Sequence, residues 1–385
     1  MSVDHAKSAD DVYRRLQQHL DSFPVGYPAT KSGVEIRILK HFFTPIEAEI
    51  AATLNFIPEP IKIVYRRVKN LGITEEETVK HLQTMIAKGT INGGKNYTTG
   101  ESLYAGAFLA IGIFEYQVGR LTKEFVEDFE QYTREAFIGE IISNTLPQMR
   151  PVPVTKSLEV TINQGVKPDN FIAPYDDIIK VVEGLNGPFS VAECVCRQGK
   201  KLLGKPCNHP LETCLQFGGA ARSYLEQGLG REITKDEALA IIKKAEENGL
   251  VLQPMNAQKP VALCCCCGDS CETLTNVKKL PHPGEFFNSN YYSVIDKAKC
   301  TGCAVCKDRC PMDAITVDDT SSVALDRCIG CGLCVTTCPE NAIQLAKKDS
   351  QWVPPPNIQG LYVEIMKHKA SIAQRQKQQK QAASV

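Results

Sequence analysis

The first third of the chain carries amphipathic helical patterns, several of them opened by a helix cap. Thr44–Glu47 reads Thr-Pro-Ile-Glu, a capping box with proline at the first helical position, and predicts a helix through about Leu54. Ile61–Asn70 predicts a second helix. Thr74–Glu77 forms another capping box, and apolar residues repeat behind it at helical spacing until Gly89. The pattern therefore predicts three helices in close succession.

A glycine-rich stretch, Thr90–Phe108, follows the third helix and predicts two short strands joined by a wing-like loop. Helix, turn, helix and wing resemble a winged-helix domain over Gly33–Phe108. Such domains often place their third helix in the DNA major groove. Here that helix begins with three carboxylates, Glu75–Glu77, which disfavour contact with phosphate. We therefore expect a protein-docking module, with DNA binding as the alternative. Leu121–Phe137 predicts a further amphipathic helix with aromatic residues at packing spacing.

The middle of the chain mixes helical and strand patterns, which predicts a mixed α/β fold. The expected helices are Ile178–Val182, Leu211–Gln227 and the segment from a Thr234 cap to Gly249, and the expected strands are Phe189–Val191 and Leu250–Leu252. Near the C-terminus, Leu361–His368 predicts a helix. The residues after it are rich in glutamine and lysine, a composition typical of poorly ordered tails.

Composition narrows the classes of function. Lysine plus arginine equals aspartate plus glutamate at 44 each in 385 residues, so no overall charge favours nucleic acid or an anionic membrane. The longest apolar stretch, Leu103–Phe114, is too short to cross a bilayer, and Met1–Arg15 lacks the apolar core of a secretory signal. All seventeen cysteines lie at or after Cys194. These features predict a cytoplasmic protein without membrane insertion, whose thiols act as metal ligands in a reducing environment.

Two cysteine runs near the C-terminus carry the clearest chemical signal. Cys300–Pro311 has the spacing Cys-x2-Cys-x2-Cys-x3-Cys-Pro, and Cys328–Pro339 repeats it. This is the bacterial spacing for cubane iron–sulfur clusters, in which three closely spaced thiolates hold one cluster and the fourth reaches the other. A zinc ribbon is the alternative, but it rarely has four cysteines per run followed by proline.

The two runs resemble the bacterial-type ferredoxin domain with two [4Fe-4S] clusters, over Tyr291–Leu345. Lys299–Val317 aligns with Arg327–Leu345 through all four cysteines, the proline and a following Ala-Ile pair. The resemblance implies a βαββαβ fold with crossed ligand sets. The first cluster would take Cys300, Cys303, Cys306 and Cys338, and the second would take Cys328, Cys331, Cys334 and Cys310.

Nine further thiols lie in the middle of the chain, more than a packed core requires. Their positions predict one site at Cys194, Cys196, Cys207 and Cys214, and another at Cys264, Cys266, Cys267 and Cys271. Thiolates suit an iron–sulfur cluster or zinc, and redox-active or free thiols are a third interpretation. In overall organisation the chain resembles proteins described as 4Fe-4S-binding. Asp269 and Ser270 depart from that pattern, because further cysteines are expected there.

Together these features predict an α+β multidomain protein with a winged-helix-like N-terminal domain, a Cys-rich mixed α/β middle domain and a C-terminal ferredoxin-type two-cluster domain. The expected bounds are 1–32 for an N-terminal segment, 33–150 for the winged-helix-like domain with its following helix, 151–290 for the Cys-rich domain, 291–349 for the ferredoxin domain and 350–385 for a partly disordered tail.

The predicted function is electron transfer, as a subunit or dedicated donor in a cytoplasmic anaerobic redox system with redox protein partners. A redox-sensing winged-helix transcription regulator is one alternative. An oxidoreductase with a Cys-rich site in the middle domain is the other.

Overall fold

The computed structural model describes residues 9–96, 98–143, 146–163 and 172–382. The chain divides into two compact units, Met1–Ser143 with Lys201–Lys205, and Asn144–Lys200 with Pro206–Val385. The second unit contains both the Cys-rich segment and the ferredoxin-type segment, which the sequence assigned to separate domains. Helices and strands are mixed in both units, and the ferredoxin-type segment lies near the C-terminus.

The first unit combines helices with a small antiparallel sheet. Its helices are α1 (Ala9–Asp21), α2 (Val34–Phe42), α3 (Pro45–Ala51), α4 (Ile61–Val68), α5 (Glu75–Lys88), α6 (Lys123–Tyr132) and α7 (Ile138–Ser143), and its strands are β1 (Glu59–Pro60), β2 (Ile91–Lys95) and β3 (Ser102–Gly106). The sheet order is β1-β3-β2, with Ile91 opposite Gly106 and Glu59 opposite Tyr104.

Local signals determine where two of these helices begin. The side chains of Thr44 and Thr74 each accept a hydrogen bond from the backbone N–H three residues later. The glutamates at those positions, Glu47 and Glu77, accept in return from the backbone N–H of the cap residue. Both predicted capping boxes are therefore confirmed. Glu47 is buried and also accepts bonds of 2.7 Å from the Lys88 ammonium. Burial alone would raise the pKa of Glu47, but Lys88 and the Thr44 backbone N–H lower it below its ordinary value.

The other helix predictions in this unit hold with shifted ends. The first predicted helix stops at Ala51 rather than Leu54. The helix predicted from Leu121 begins after the Thr122 cap, whose side chain accepts from the Phe125 N–H, and continues as a wider helical turn into α7. Aromatic packing holds it in place, since the rings of Phe114 and Phe129 stack with centroids 3.9 Å apart.

The second unit contains the remaining elements. Its helices are α8 (Thr155–Asn163), α9 (Ile178–Glu183), α10 (Val195–Leu202), α11 (Gly219–Glu226), α12 (Lys235–Glu247), α13 (Glu272–Val277), α14 (Pro283–Phe286), α15 (Val305–Asp308) and α16 (Ile358–Ala382). Its strands are β4 (Phe189–Glu193), β5 (Glu212–Phe217), β6 (Arg231–Ile233), β7 (Val251–Pro254), β8 (Ala262–Cys266), β9 (Tyr291–Ile295), β10 (Ile315–Val317), β11 (Ser321–Val323) and β12 (Ile343–Lys347).

A five-stranded antiparallel sheet with the order β6-β4-β5-β8-β7 organises the Cys-rich segment, and α11 and α12 pack against it. The prediction of one helix over Leu211–Gln227 is wrong. Glu212–Phe217 is the central strand β5, and the helix begins only at Gly219. The reason is that Leu215 and Phe217 alternate with polar and cysteine positions, so one strand face buries them in the core.

The ferredoxin-type segment forms two antiparallel pairs. β9 pairs with β12, with Tyr291 opposite Lys347, and β10 pairs with β11. The helix of the first repeat is α15, which lies between β9 and β10, and the second repeat has a single 3-10 turn, Val335–Thr337, between β11 and β12. α8 packs on β12, where the Leu345 N–H donates to Thr161 Oγ1 at 3.1 Å. This packing joins the two predicted domains into one unit.

The second unit also contains a buried ion pair. Arg150 and Asp176 are both buried and form an ion pair of 2.6 Å.

The tail, expected to be partly disordered, continues as the helix α16 to Ala382. Leu361 and Ile365 of that helix are fully buried, which gives its first half a hydrophobic anchor.

Candidate metal centres

The first cysteine run begins in the loop after β9 and continues through α15, and its first three thiols line a small cavity. The cavity is lined by Cys300, Cys303, Cys306 and, from the second run, Cys338. Gly302 lies within the loop at φ 70°, and a Cβ there would lie 2.5 Å from a backbone oxygen of Asp319. Glycine therefore allows the loop to close.

The first three cysteines of the second run line another cavity. Its cysteines are Cys328, Cys331 and Cys334, with Cys310 from the first run, and apolar side chains such as Ile315, Val323 and Leu333 complete the wall. The fourth cysteine of each run thus lies with the first three cysteines of the other run. These are the two sets that the sequence grouped together.

Hydrogen bonds to sulfur are distributed with the symmetry of the repeat. The Ala314 N–H donates to Cys310 Sγ at 3.3 Å, and the Ala342 N–H donates to Cys338 Sγ at 3.2 Å. The Ser321 N–H donates to Cys300 Sγ at 3.3 Å and, with the Gly302 N–H, lowers the pKa of Cys300. Such bonds favour the thiolate, which is the form that binds metal.

Strand register brings three thiols of the Cys-rich segment to one face of its sheet. Cys214 lies directly opposite Cys264, and Cys266 follows two residues later on the same strand. The Cys264 thiol interacts with the thiols of both Cys214 and Cys266. Cys265 points to the opposite face and is only 1% exposed, and burial raises its pKa to about 12. Cys265 is therefore a core residue, whereas the other three are candidate ligands.

Three more thiols complete this cluster from the ends of neighbouring elements. Cys194 follows β4, Cys196 lies in the first turn of α10, and Cys271 directly precedes α13. The Cys271 thiol interacts with that of Cys266, and the Cys196 thiol hydrogen-bonds Cys194 and lowers its pKa. We call this cluster the six-thiol group: Cys194, Cys196, Cys214, Cys264, Cys266 and Cys271.

A second, smaller cluster lies beside it. Cys207 Sγ is 3.7 Å from Cys267 Sγ and 3.6 Å from Asp269 Oδ1. All three ligand atoms lie within 4.8 Å of one another. Cys267 is buried, Cys207 is half-buried and Asp269 is exposed, so this cluster reaches the protein surface.

Arg197 is the charged residue that joins the two thiol clusters, and it is only 1% exposed. Its guanidinium donates to Cys267 Sγ at 3.4 Å and to the Cys265 carbonyl at 3.0 Å. It also donates to the Pro210 carbonyl and the Thr213 hydroxyl. A buried guanidinium requires a compensating negative charge. Burial raises the pKa of the Cys267 thiol to about 12 although Arg197 opposes the rise, so Cys267 would supply that charge when it is bound to a metal.

The structure thus groups the middle cysteines differently from the sequence. Cys207 lies with Cys267 and Asp269, not with the other three residues of its predicted set. The remaining predicted ligands form the six-thiol group. Sequence reasoning missed Arg197 and Asp269 as parts of the site. The only sign of Arg197 in the sequence was its position directly after Cys196. Its distance to Cys267, which directly follows β8, cannot be read from the order of residues.

Comparison with known proteins identifies one segment of the chain. Residues 292–352 match the family model of the 4Fe-4S dicluster domain, which lies close to the predicted ferredoxin segment and supports iron–sulfur cluster binding. Neither a curated protein nor a solved structure matches the chain. Among the described residues, none of the helices combines the length and apolar character needed to span a bilayer.

Proposed function

We propose that this protein transfers electrons through two [4Fe-4S] clusters in its dicluster domain to a third iron–sulfur cluster held by the six-thiol group. The first cluster is held by Cys300, Cys303, Cys306 and Cys338, and the second by Cys328, Cys331, Cys334 and Cys310. The observation that carries this proposal is the lining of each cavity by four cysteines, three from one run and one from the other.

Exposure indicates which cluster exchanges electrons with a partner protein. Cys303 is exposed and Val305 beside it is 42% exposed, so the first cluster lies within reach of a docked redox protein. Cys328, Cys331 and Cys334 are buried, so the second cluster is an internal relay. We therefore propose that electrons enter at the first cluster from a redox partner, with the protein acting as a subunit or dedicated donor.

A close backbone contact supports onward transfer to the six-thiol group. A Cβ on Gly268 would lie 2.9 Å from the Pro311 carbonyl oxygen, so the two backbones touch. Pro311 follows Cys310, a proposed ligand of the second cluster. Gly268 follows Cys266 by two residues, and Cys266 belongs to the six-thiol group.

The spacing of the six thiols favours a multi-iron cluster over a single zinc ion. Four sulfurs on one tetrahedral zinc lie in mutual contact, roughly 3.8 Å apart for bonds of about 2.3 Å. Among the described residues, no three members of the six-thiol group have ligand atoms all within 4.8 Å of one another. A cubane spreads its thiolates over four irons, so its ligands do not have to converge on one point.

The experiment is a count of iron, acid-labile sulfide and zinc in protein purified under anaerobic conditions. The proposal predicts about twelve irons per chain, and about eight in Cys271→Ala with the dicluster signals retained in electron paramagnetic resonance. Cys265→Ala is the matched control, since Cys265 is buried on the other face of the sheet, and it should keep all twelve. A preparation with zinc but no sulfide would overturn the proposal. About eight irons in wild-type protein would remove the third cluster alone.

A further inference from the structure

The distances from Cys207 to Cys267 and to Asp269 match those of ligands around one tetrahedral ion, and all three ligand atoms lie within 4.8 Å of one another. With zinc–sulfur bonds of about 2.3 Å and zinc–oxygen bonds of about 2.0 Å, tetrahedral angles place two sulfurs roughly 3.8 Å apart and a sulfur and an oxygen roughly 3.5 Å apart. The Cys207–Cys267 sulfurs are separated by 3.7 Å, and Cys207 Sγ is 3.6 Å from Asp269 Oδ1.

Charge balance points the same way. Two thiolates and one carboxylate around a divalent cation carry one net negative charge. Arg197 is buried and donates to Cys267 Sγ, and its other hydrogen-bond partners, two carbonyls and the Thr213 hydroxyl, are uncharged. A cation-loaded site therefore places one net negative charge beside the buried guanidinium, which reduces the cost of its burial. An N–H···S bond to a metal-bound thiolate also orients that ligand.

The site has three protein ligands rather than four. Asp269 is exposed and Cys207 is half-buried, so the fourth position of a tetrahedral ion would open toward solvent. Structural zinc sites are closed by four protein ligands, whereas catalytic sites use three and keep a position for water or substrate.

We propose that Cys207, Cys267 and Asp269 bind a single divalent cation of the zinc class, separate from the iron–sulfur clusters, with an open fourth position for an exogenous ligand. Arg197 is a positioning residue that holds the Cys267 thiolate. The proposal goes beyond electron transfer, because zinc has no redox chemistry and supplies Lewis acidity instead. It does not depend on how the six-thiol group is occupied.

The first test is metal analysis of full-length protein purified under anaerobic conditions. Wild-type protein should contain about one zinc per chain in addition to its iron. Cys207→Ser and Asp269→Ala should each lower zinc at least tenfold while iron and sulfide stay unchanged, which also shows that the variants fold. Asp236→Ala, an exposed acid in the first turn of α12, is the matched control and should keep its zinc. Cys303→Ala should lose iron and keep zinc.

The second test uses Co²⁺ as a probe of the site. Cobalt added to chelator-treated, oxidised protein should give a high-spin Co²⁺ resonance, which is observable because oxidised [4Fe-4S] clusters are diamagnetic. Cys207→Ser should abolish this signal. Loss of iron together with zinc in Cys207→Ser would place Cys207 on a cluster and overturn the proposal. A Cys207–Cys267 disulfide found by mass spectrometry after anaerobic alkylation would also overturn it, as would wild-type protein without zinc or a cobalt signal.

Discussion

Replacing cysteines in pairs would show whether the ligand sets cross between the two runs. Cys303 lines the first cavity together with Cys338, whereas Cys310, the next cysteine but one in the same run as Cys303, lines the second cavity. Cys303→Ala therefore removes a thiolate from the first cavity and leaves four cysteines around the second. Adding Cys338→Ala damages the same cavity again. Adding Cys310→Ala instead damages the other one.

The expected iron losses follow from this geometry. A [4Fe-4S] cluster contains four irons, so Cys303→Ala should lose about four irons per chain. The pair Cys303→Ala/Cys338→Ala should lose no more than the single variant. The pair Cys303→Ala/Cys310→Ala should lose about eight. The iron losses caused by two replacements in one cavity should thus not add, whereas the losses caused by replacements in different cavities should add.

The assay counts iron and acid-labile sulfide and records electron paramagnetic resonance of the reduced protein. In wild-type protein the signals of the two dicluster-domain clusters should show mutual interaction, and Cys303→Ala should lose that interaction. Circular dichroism of each variant controls for folding. The opposite pattern, in which the pair with Cys310→Ala equals the single variant and the pair with Cys338→Ala loses about eight irons, would refute crossed ligation.

Three further predictions concern a close contact, a buried ion pair and acid stability. Gly268→Ala should cost about 1–3 kcal/mol in overpacking against Pro311 and slow reduction of the six-thiol group in stopped-flow absorbance. Arg150→Ala leaves Asp176 buried without its partner, and should lower the free energy of unfolding by about 3–5 kcal/mol in a urea titration. Glu47→Gln should be less stable than wild type at pH 7. Its folded-state pKa is lowered, so the Glu47 contribution is present above the unfolded pKa of about 4.3 and is lost as the pH falls through the folded value.

Each of these predictions has a control. A Cβ on Gly219 would meet no atom within 4 Å, so Gly219→Ala should leave the reduction rate unchanged. Equal slowing in both glycine variants would contradict the contact route. Replacing both Arg150 and Asp176 by apolar residues should recover much of the lost stability. A double variant as unstable as Arg150→Ala would count against the buried-charge explanation. A Glu47→Gln difference that persists unchanged from pH 7 to about pH 3 would exclude linkage to that carboxyl.

The parts of the fold that could be predicted from sequence are those set by neighbouring residues. The capping boxes at Thr44 and Thr74 needed only a span of four residues, and both were confirmed. The ferredoxin-type segment was recognisable because its ligand spacing is itself local, and the match over residues 292–352 supports that part of the prediction. The winged-helix interpretation and its docking role stay predictions.

The Cys-rich segment was harder to predict because its chemistry depends on strand pairing. Interpreting Leu211–Gln227 as a helix hid the register that sets Cys214 opposite Cys264. Without that register, cysteines were grouped by their order along the chain. Cys207 therefore joined Cys194 and Cys196, although its sulfur lies beside Cys267.

By itself the sequence determined which residues could bind iron–sulfur clusters in the two C-terminal runs, since a ligand loop of a few residues can close around a cluster wherever it occurs. Only the tertiary structure decided how the middle thiols divide into the six-thiol group and the Cys207–Cys267–Asp269 cluster. Those thiols come from different strands and turns, and the antiparallel sheet with its buried Arg197 sets the distances between them. A metal responds to those distances rather than to the order of residues along the chain.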